Sequence, residues 1–205
     1  MKASDAASRM ATSGGSLAPA SAGIVGTQRS WCCPDIQRQP DNTTNTNTMN
    51  IGCLGWGSLI WNPKNLLVRN GWFHDGPLLP IEFARCSSED RVTLVLVPTM
   101  PSVRALWCLL SAVDLRAAVD ELATRESVPN SKDHNIGFWA RTSGSRGSFA
   151  DLIGIWAAAH QLDAVVWTNL GPKWSKVEGR VPSVIEVLDF VRSQGPDSKA
   201  ADYVS

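Results

Sequence analysis

The chain has 205 residues and a mass of 22.1 kDa, enough for one ordinary domain with an appendage. Lys and Arg total 19 against 19 Asp and Glu, so the basic excess that marks a nucleic-acid partner is missing. At 43% hydrophobic and 19% charged the composition supports a buried core, and no stretch approaches the roughly 18 uninterrupted apolar residues of a membrane span.

Residues 1–48 contain no Val, Ile, Leu or Phe beyond Leu17, Ile24, Val25 and Ile36, and they end in a polar run from Asp41 to Thr48. Such a stretch cannot bury enough apolar surface to offset its backbone entropy. It is expected to be disordered, or to lie upstream of a true start at Met49. The working domain is expected over residues 49–194, with a flexible tail over 195–205.

Ile51–Leu54 is short, apolar and closed by Gly55-Trp56-Gly57, the pattern of a buried strand entering a glycine loop. Ile81–Cys86 and Arg91–Val97 flank Ser87-Ser88-Glu89-Asp90 and predict a β-hairpin. Val103–Leu110 predicts one further strand, and Ala164–Trp167 a last one. Asp114 is placed to cap a helix with the stripe Leu115, Ala118, Val119 and Leu122. Ser148 with Asp151, and Ser183 with Glu186, have capping-box spacing ahead of two more helices. The order is an α+β pattern, expected as a small mixed β-barrel or sheet with flanking helices.

The cysteines bound the chemistry. Cys32 and Cys33 are adjacent, and Cys53, Cys86 and Cys108 each sit in an apolar run, where a thiol behaves as a small hydrophobe. No C-x-x-C occurs and no His stands at ligand spacing from a Cys. Neither a metal site nor a cofactor is expected, and the compartment reads as reducing, hence cytoplasmic.

Helical phase singles out one residue. At about 100° per residue from Leu115, Val119 falls near +40°, Leu122 near −20° and Glu126 near +20°. A carboxylate on the apolar face must be paired, protonated or working. The competing reading is that Pro129 frays the last turn and Glu126 turns outward. Arg125 falls on another face and reads as solvated, structural rather than catalytic. The loop Gly55-Trp56-Gly57-Ser58-Leu59 is a second candidate, because bracketing glycines let backbone N–H groups converge on an anion. Its spacing fits neither a dinucleotide fingerprint, a P-loop nor a nucleophile elbow. Arg85 alternates with the core face of its strand and could reach a substrate carboxylate. His160 reads as a satisfied core histidine, and His74 and His134 as loop residues.

Leu54-Gly55-Trp56-Gly57-Ser58-Leu59-Ile60-Trp61 resembles the F-G-Y-G-S-L-[IV]-W signature of the γ-glutamylcyclotransferases, especially the ChaC type. Leu122-Ala123-Thr124-Arg125-Glu126 resembles the L-x-x-R-E segment carrying that family's catalytic glutamate. The likeness spans roughly Ile51 to Val128. It implies a γ-glutamylcyclotransferase-like fold and an enzyme that releases 5-oxoproline from a small γ-glutamyl substrate. Glu126 would be the general acid and base, and Gly55, Trp56, Gly57, Ser58 and Leu59 would bind substrate. The signature Tyr is Trp56 here, and the only Tyr of the chain is Tyr203. Trp139, Trp156 and Trp167 are the aromatic residues that could replace the family's later tyrosines. The rival expectations are a non-catalytic small-ligand-binding module, or an enzyme acting on a different amide.

Overall fold

The computed structural model describes residues 49–87, 91–128 and 134–195. The expectations for residues 1–48, the Cys32–Cys33 pair, the 88–90 turn, Pro129 and the tail from 196 onward lie outside the described residues.

Runs of consecutive apolar residues make the central strands. The chain opens with β1 (Ile51–Gly55), a short helix α1 (Ser58–Trp61) and β2 (Val68–Phe73). There follow β3 (Leu78–Leu79), β4 (Ile81–Cys86), β5 (Val92–Leu96), β6 (Val103–Arg104) and β7 (Leu106–Leu110). Helix α2 (Leu115–Arg125) leads to β8 (Ile136–Ala140) and β9 (Gly144–Arg146). The chain then continues through α3 (Ala150–Ala159), β10 (Ala164–Thr168), β11 (Lys173–Trp174), β12 (Val177–Glu178) and α4 (Val184–Ser193).

Six strands form the main sheet in the order β2-β7-β1-β10-β8-β9. Its centre is the parallel pair β1 and β10, flanked on both sides by antiparallel neighbours. All five residues of β1 are buried, as expected of a strand covered on both faces. The two-residue period divides them. Ile51, Cys53, Ala164 and Val166 pack with Ala118, Leu122 and Ala123 of α2. Leu54, Val165 and Trp167 pack with Ile153 and Ala157 of α3 on the other side.

The mixed α+β content matches the sequence reading, but the β-barrel does not. The strands form three open sheets: the six-stranded one, a four-stranded one in the order β12-β11-β4-β5, and the pair β3-β6. No sheet among the described residues closes on itself, which corrects the expected γ-glutamylcyclotransferase-like barrel. The break lies inside Val103–Leu110, read from sequence as one strand. At Ala105 the backbone N–H turns to Pro77 O at 3.0 Å. Thus β6 pairs with β3 while β7 pairs with β1 and β2. The β4–β5 hairpin joins β11 instead of the main sheet.

Two of the three predicted caps form. Asp114 Oδ1 accepts from Ala117 N at 2.8 Å, and Ser183 and Glu186 make the full capping box. The Ser148–Asp151 box does not. Asn169 Oδ1 takes the Ser148 N–H at 2.8 Å, and Phe149, left-handed at φ 62°, becomes the residue that opens α3.

Candidate active site

Helix α2 ends in a Schellman arrangement. Val128 N donates to Ala123 O at 3.0 Å, and Ser127 N to Thr124 O at 3.1 Å, with Ser127 left-handed at φ 55°. The turn before it stays helical: Glu126 N donates to Leu122 O at 3.0 Å. Glu126 therefore keeps the phase deduced from sequence, and its side chain is only 18% exposed. Burial pushes its carboxyl above the ordinary glutamate range, with Arg125 and then Lys64 pulling the other way.

The sequence reading placed Arg125 in solvent, and this is corrected. Arg125 is buried. Its Nη1 donates to Glu126 Oε1 at 3.0 Å, and its Nη2 donates to Ser58 Oγ at 3.1 Å and Asn62 O at 2.9 Å. Phase alone missed it because the cover comes from α1, which no periodicity in α2 reveals. One guanidinium thus ties the carboxylate to the segment that follows the glycine loop.

That loop leaves β1 at Gly55 and turns at Gly57, whose φ of 56° favours glycine. Gly55 has a different reason to lack a side chain: a Cβ there would lie 2.3 Å from the Trp72 ring. The Trp56 indole N–H donates to Leu94 O at 3.2 Å, pinning the loop to β5. Trp56, Ser58 and Leu59 line a cavity of about 230 Å³ together with Glu126. Gly55 and Gly57 line a separate groove that Trp56 also borders. The predicted residues are thus brought partly together.

The Glu126 cavity also holds Lys64, Arg85, Arg91 and Thr168. A larger cavity of about 960 Å³ adjoins it and is likewise lined by Arg85 and Glu126, with Lys173, Trp174 and Lys176 beyond. Of these, sequence marked only Arg85 as a possible carboxylate ligand. The lysines carry no local signal, since they stand in loops and in a two-residue strand.

The remaining candidates lie elsewhere. Trp167 is wholly buried, with Gly137 so close that a Cβ would approach its ring to 2.2 Å. The Trp156 indole N–H donates to Asp75 O at 3.0 Å, and Trp139 packs on Gly154. None of the three lines a Glu126 cavity, whereas Trp56 and Trp174 do. His160 Nε2 lies 3.3 Å from Asp75 Oδ2, and Asp75 Oδ1 accepts from the Trp107 indole at 2.7 Å. Cys53 and Cys108 face each other across β1 and β7, both fully buried; the Cys108 thiol and burial together push Cys53 well up. Among the described residues no helix is long and apolar enough to cross a membrane, and no three or more His, Cys, Asp or Glu could together hold a metal ion.

Comparison of the chain with protein-family models, curated proteins and solved structures gives no match.

Proposed function

We propose that the protein is an enzyme of the γ-glutamylcyclotransferase type, releasing 5-oxoproline from a γ-glutamyl compound. The observation that carries this reading is Glu126: a buried carboxyl with a raised proton affinity, on the wall of a cavity, held in place by Arg125. A carboxyl with a raised proton affinity is suited to take up a proton and give it back.

The reaction is intramolecular. The substrate's α-amine attacks its own γ-carbonyl, a ring C–N bond forms, and the original amide C–N bond breaks. Glu126 takes a proton from the α-ammonium and delivers one to the leaving nitrogen, work typically worth 10²–10⁴-fold. Of the loop, Trp56, Ser58 and Leu59 reach the Glu126 cavity, and backbone amides of that part hold the substrate carboxylate or the developing oxyanion. Enclosure of the folded substrate supplies the remainder, since attacking and attacked groups belong to one molecule. Neither a nucleophilic cysteine nor a triad is required.

The test is 5-oxoproline release by the full chain and by Glu126→Gln, with folding of both followed by circular dichroism. Substrates are glutathione, γ-glutamyl amino acids and γ-glutamyl amines. The parent is expected to turn over at least one, and the variant to lose about 10²-fold or more. A folded parent silent across the panel overturns the reading, and ligand binding without turnover would then identify a binding module.

A further inference from the structure

Among the described residues, the two cavities that meet at Glu126 carry more positive than negative charge. Lys64, Arg91 and Arg125 line the smaller one, Lys173 and Lys176 the larger, and Arg85 both. In the cyclotransfer reading the glutamyl half of the substrate lies beside Glu126 and the glycine loop. Whatever hangs on its γ-nitrogen then extends into the larger cavity.

The cations there are already arranged around a carboxylate. Arg85 Nη1 lies 3.3 Å from Glu178 Oε2, and Lys173 Nζ lies 2.8 Å from Glu178 Oε1. The backbone fixes this convergence, because Lys173 and Arg85 are register partners in the parallel pairing of β11 with β4. Arg85 is further anchored through Nη1 to Gly171 O at 2.9 Å. The hydrogen bond from Lys173, then the charge of Arg85, hold Glu178 below the ordinary range. Yet the Glu178 side chain is 64% exposed, so leaving this position for water costs it little.

Lys176 adds a third cation. It occupies the turn between β11 and β12 with φ 66°, lines the same cavity, and makes no ion pair with another described residue. Three cations against Glu178 and, at the far end of the cavity, Glu126 leave its described lining net positive. Trp174 and Phe190, edge to face at 5.5 Å, form an apolar wall beside them.

We propose that the larger cavity is a subsite for a carboxylate on the leaving group, bound by Arg85, Lys173 and Lys176, with Glu178 as the internal competitor that the ligand displaces. The term leaving group rests on the cyclotransfer reading; the carboxylate subsite itself does not. A γ-glutamyl amino acid or peptide would satisfy the subsite, an uncharged γ-glutamyl amine would gain nothing from it, and a cationic one would be repelled.

The test compares two ligands that differ by one carboxylate, γ-glutamylglycine and γ-glutamylmethylamide. Their binding to full-length Glu126→Gln, and separately to the parent, is followed by tryptophan fluorescence and calorimetry. Loss of one charge-assisted contact predicts that the acid binds about tenfold or more tightly, with a preference that shrinks as salt rises. Arg85→Gln and Lys176→Gln bring the ratio towards unity. Lys176 is in an exposed turn, so its replacement leaves folding intact. Glu178→Gln tightens the acid severalfold and leaves the amide unchanged. Equal affinities, binding of neither ligand, or a preference indifferent to Arg85→Gln and Lys176→Gln would overturn the subsite. Release of 5-oxoproline is measured alongside. Preference without release from any compound of the full panel keeps the subsite and removes the cyclotransfer reading, while release without preference does the reverse.

Discussion

Arg125 Nη2 lies 3.1 Å from Ser58 Oγ, joining positions 67 apart in the chain, while Nη1 of the same guanidinium holds Glu126. The end of α2 and the start of α1 are thereby clamped by a single planar group. A lysine presents one point charge and cannot span both partners. Arg125→Lys is expected to lower 5-oxoproline release about tenfold, the scale of a lost charge-assisted hydrogen bond. Arg125 favours the ionised form of Glu126, so weakening its contact raises that carboxyl further. The acid limb of the kcat/KM profile should move to higher pH. A slower variant with an unmoved limb would make Arg125 structural only.

Glu126 itself should leave a pH signature on stability. Its folded value lies above its unfolded value, which is about 4.3 for an ordinary glutamate. The fold therefore prefers the protonated form: this stabilisation is complete below the unfolded value and is lost as pH rises through the folded one. Glu126→Gln lacks the term. Its stability relative to the parent should rise as pH climbs from the unfolded glutamate value of about 4.3 through the parent's raised folded value, measured by urea unfolding at several pH values. A difference independent of pH would contradict the buried assignment.

Ser127 adopts at φ 55° a conformation that costs an L-residue about 1 kcal/mol. Ser127→Gly removes that strain where helices favour glycine. A gain of roughly 0.5–1 kcal/mol is expected, partly offset by the freedom glycine adds to the unfolded chain. A loss of stability on chemical denaturation would show that the hydroxyl matters more than the backbone.

Gly137 and Gly171 make a matched contrast. A Cβ at Gly137 meets the buried Trp167 ring at 2.2 Å, whereas at Gly171 it meets nothing within 4 Å. Gly137→Ala should destabilise by about 3 kcal/mol, since neither a central strand nor an indole can give way. Gly171→Ala should change stability by under about 1 kcal/mol. Similar thermal midpoints for the two variants would refute the close packing of β8 on β10.

Asp75 joins the loop after β2 to Trp107 and to His160 at the end of α3. The Trp107 hydrogen bond, then that of His160, depresses its carboxyl. Its stabilisation is present above the unfolded value of about 3.9 and lost as pH falls through the folded one. Asp75→Ala leaves the nearly buried indole N–H without its acceptor, at a cost of roughly 1–2 kcal/mol near neutrality. The gap between parent and variant should narrow as pH falls below about 3.9. A gap unchanged by pH would assign the cost to packing.

Much of the fold followed from pattern. The continuous apolar runs of β1 and β10, the β4–β5 hairpin and two capped helices were legible because each signal is local. The barrel expectation failed because sheet membership is set by contacts such as Ala105 with Pro77, which pattern does not encode. Strand β2 escaped notice because Asn70 and Gly71, both at positive φ, interrupt its alternation. At the candidate site, the burial of Glu126 was legible from helical phase, whereas that of Arg125 required the tertiary contact with α1. Lys173 and Lys176 enter only through the pairing of β11 with β4.

That pairing has a consequence for how the protein could change. The carboxyl proposed for proton transfer belongs to α2, packed into the centre of the domain. Two of the three cations proposed to choose the leaving group, and the glutamate that competes for them, belong to a surface hairpin joined to β4 by one register pair. On the proposed reading, reactivity and preference are carried by separately replaceable pieces. Exchanging the stretch Lys173–Glu178 would redirect which compounds are processed while the proton-transfer apparatus stays as it is, and natural variation in preference should collect there first.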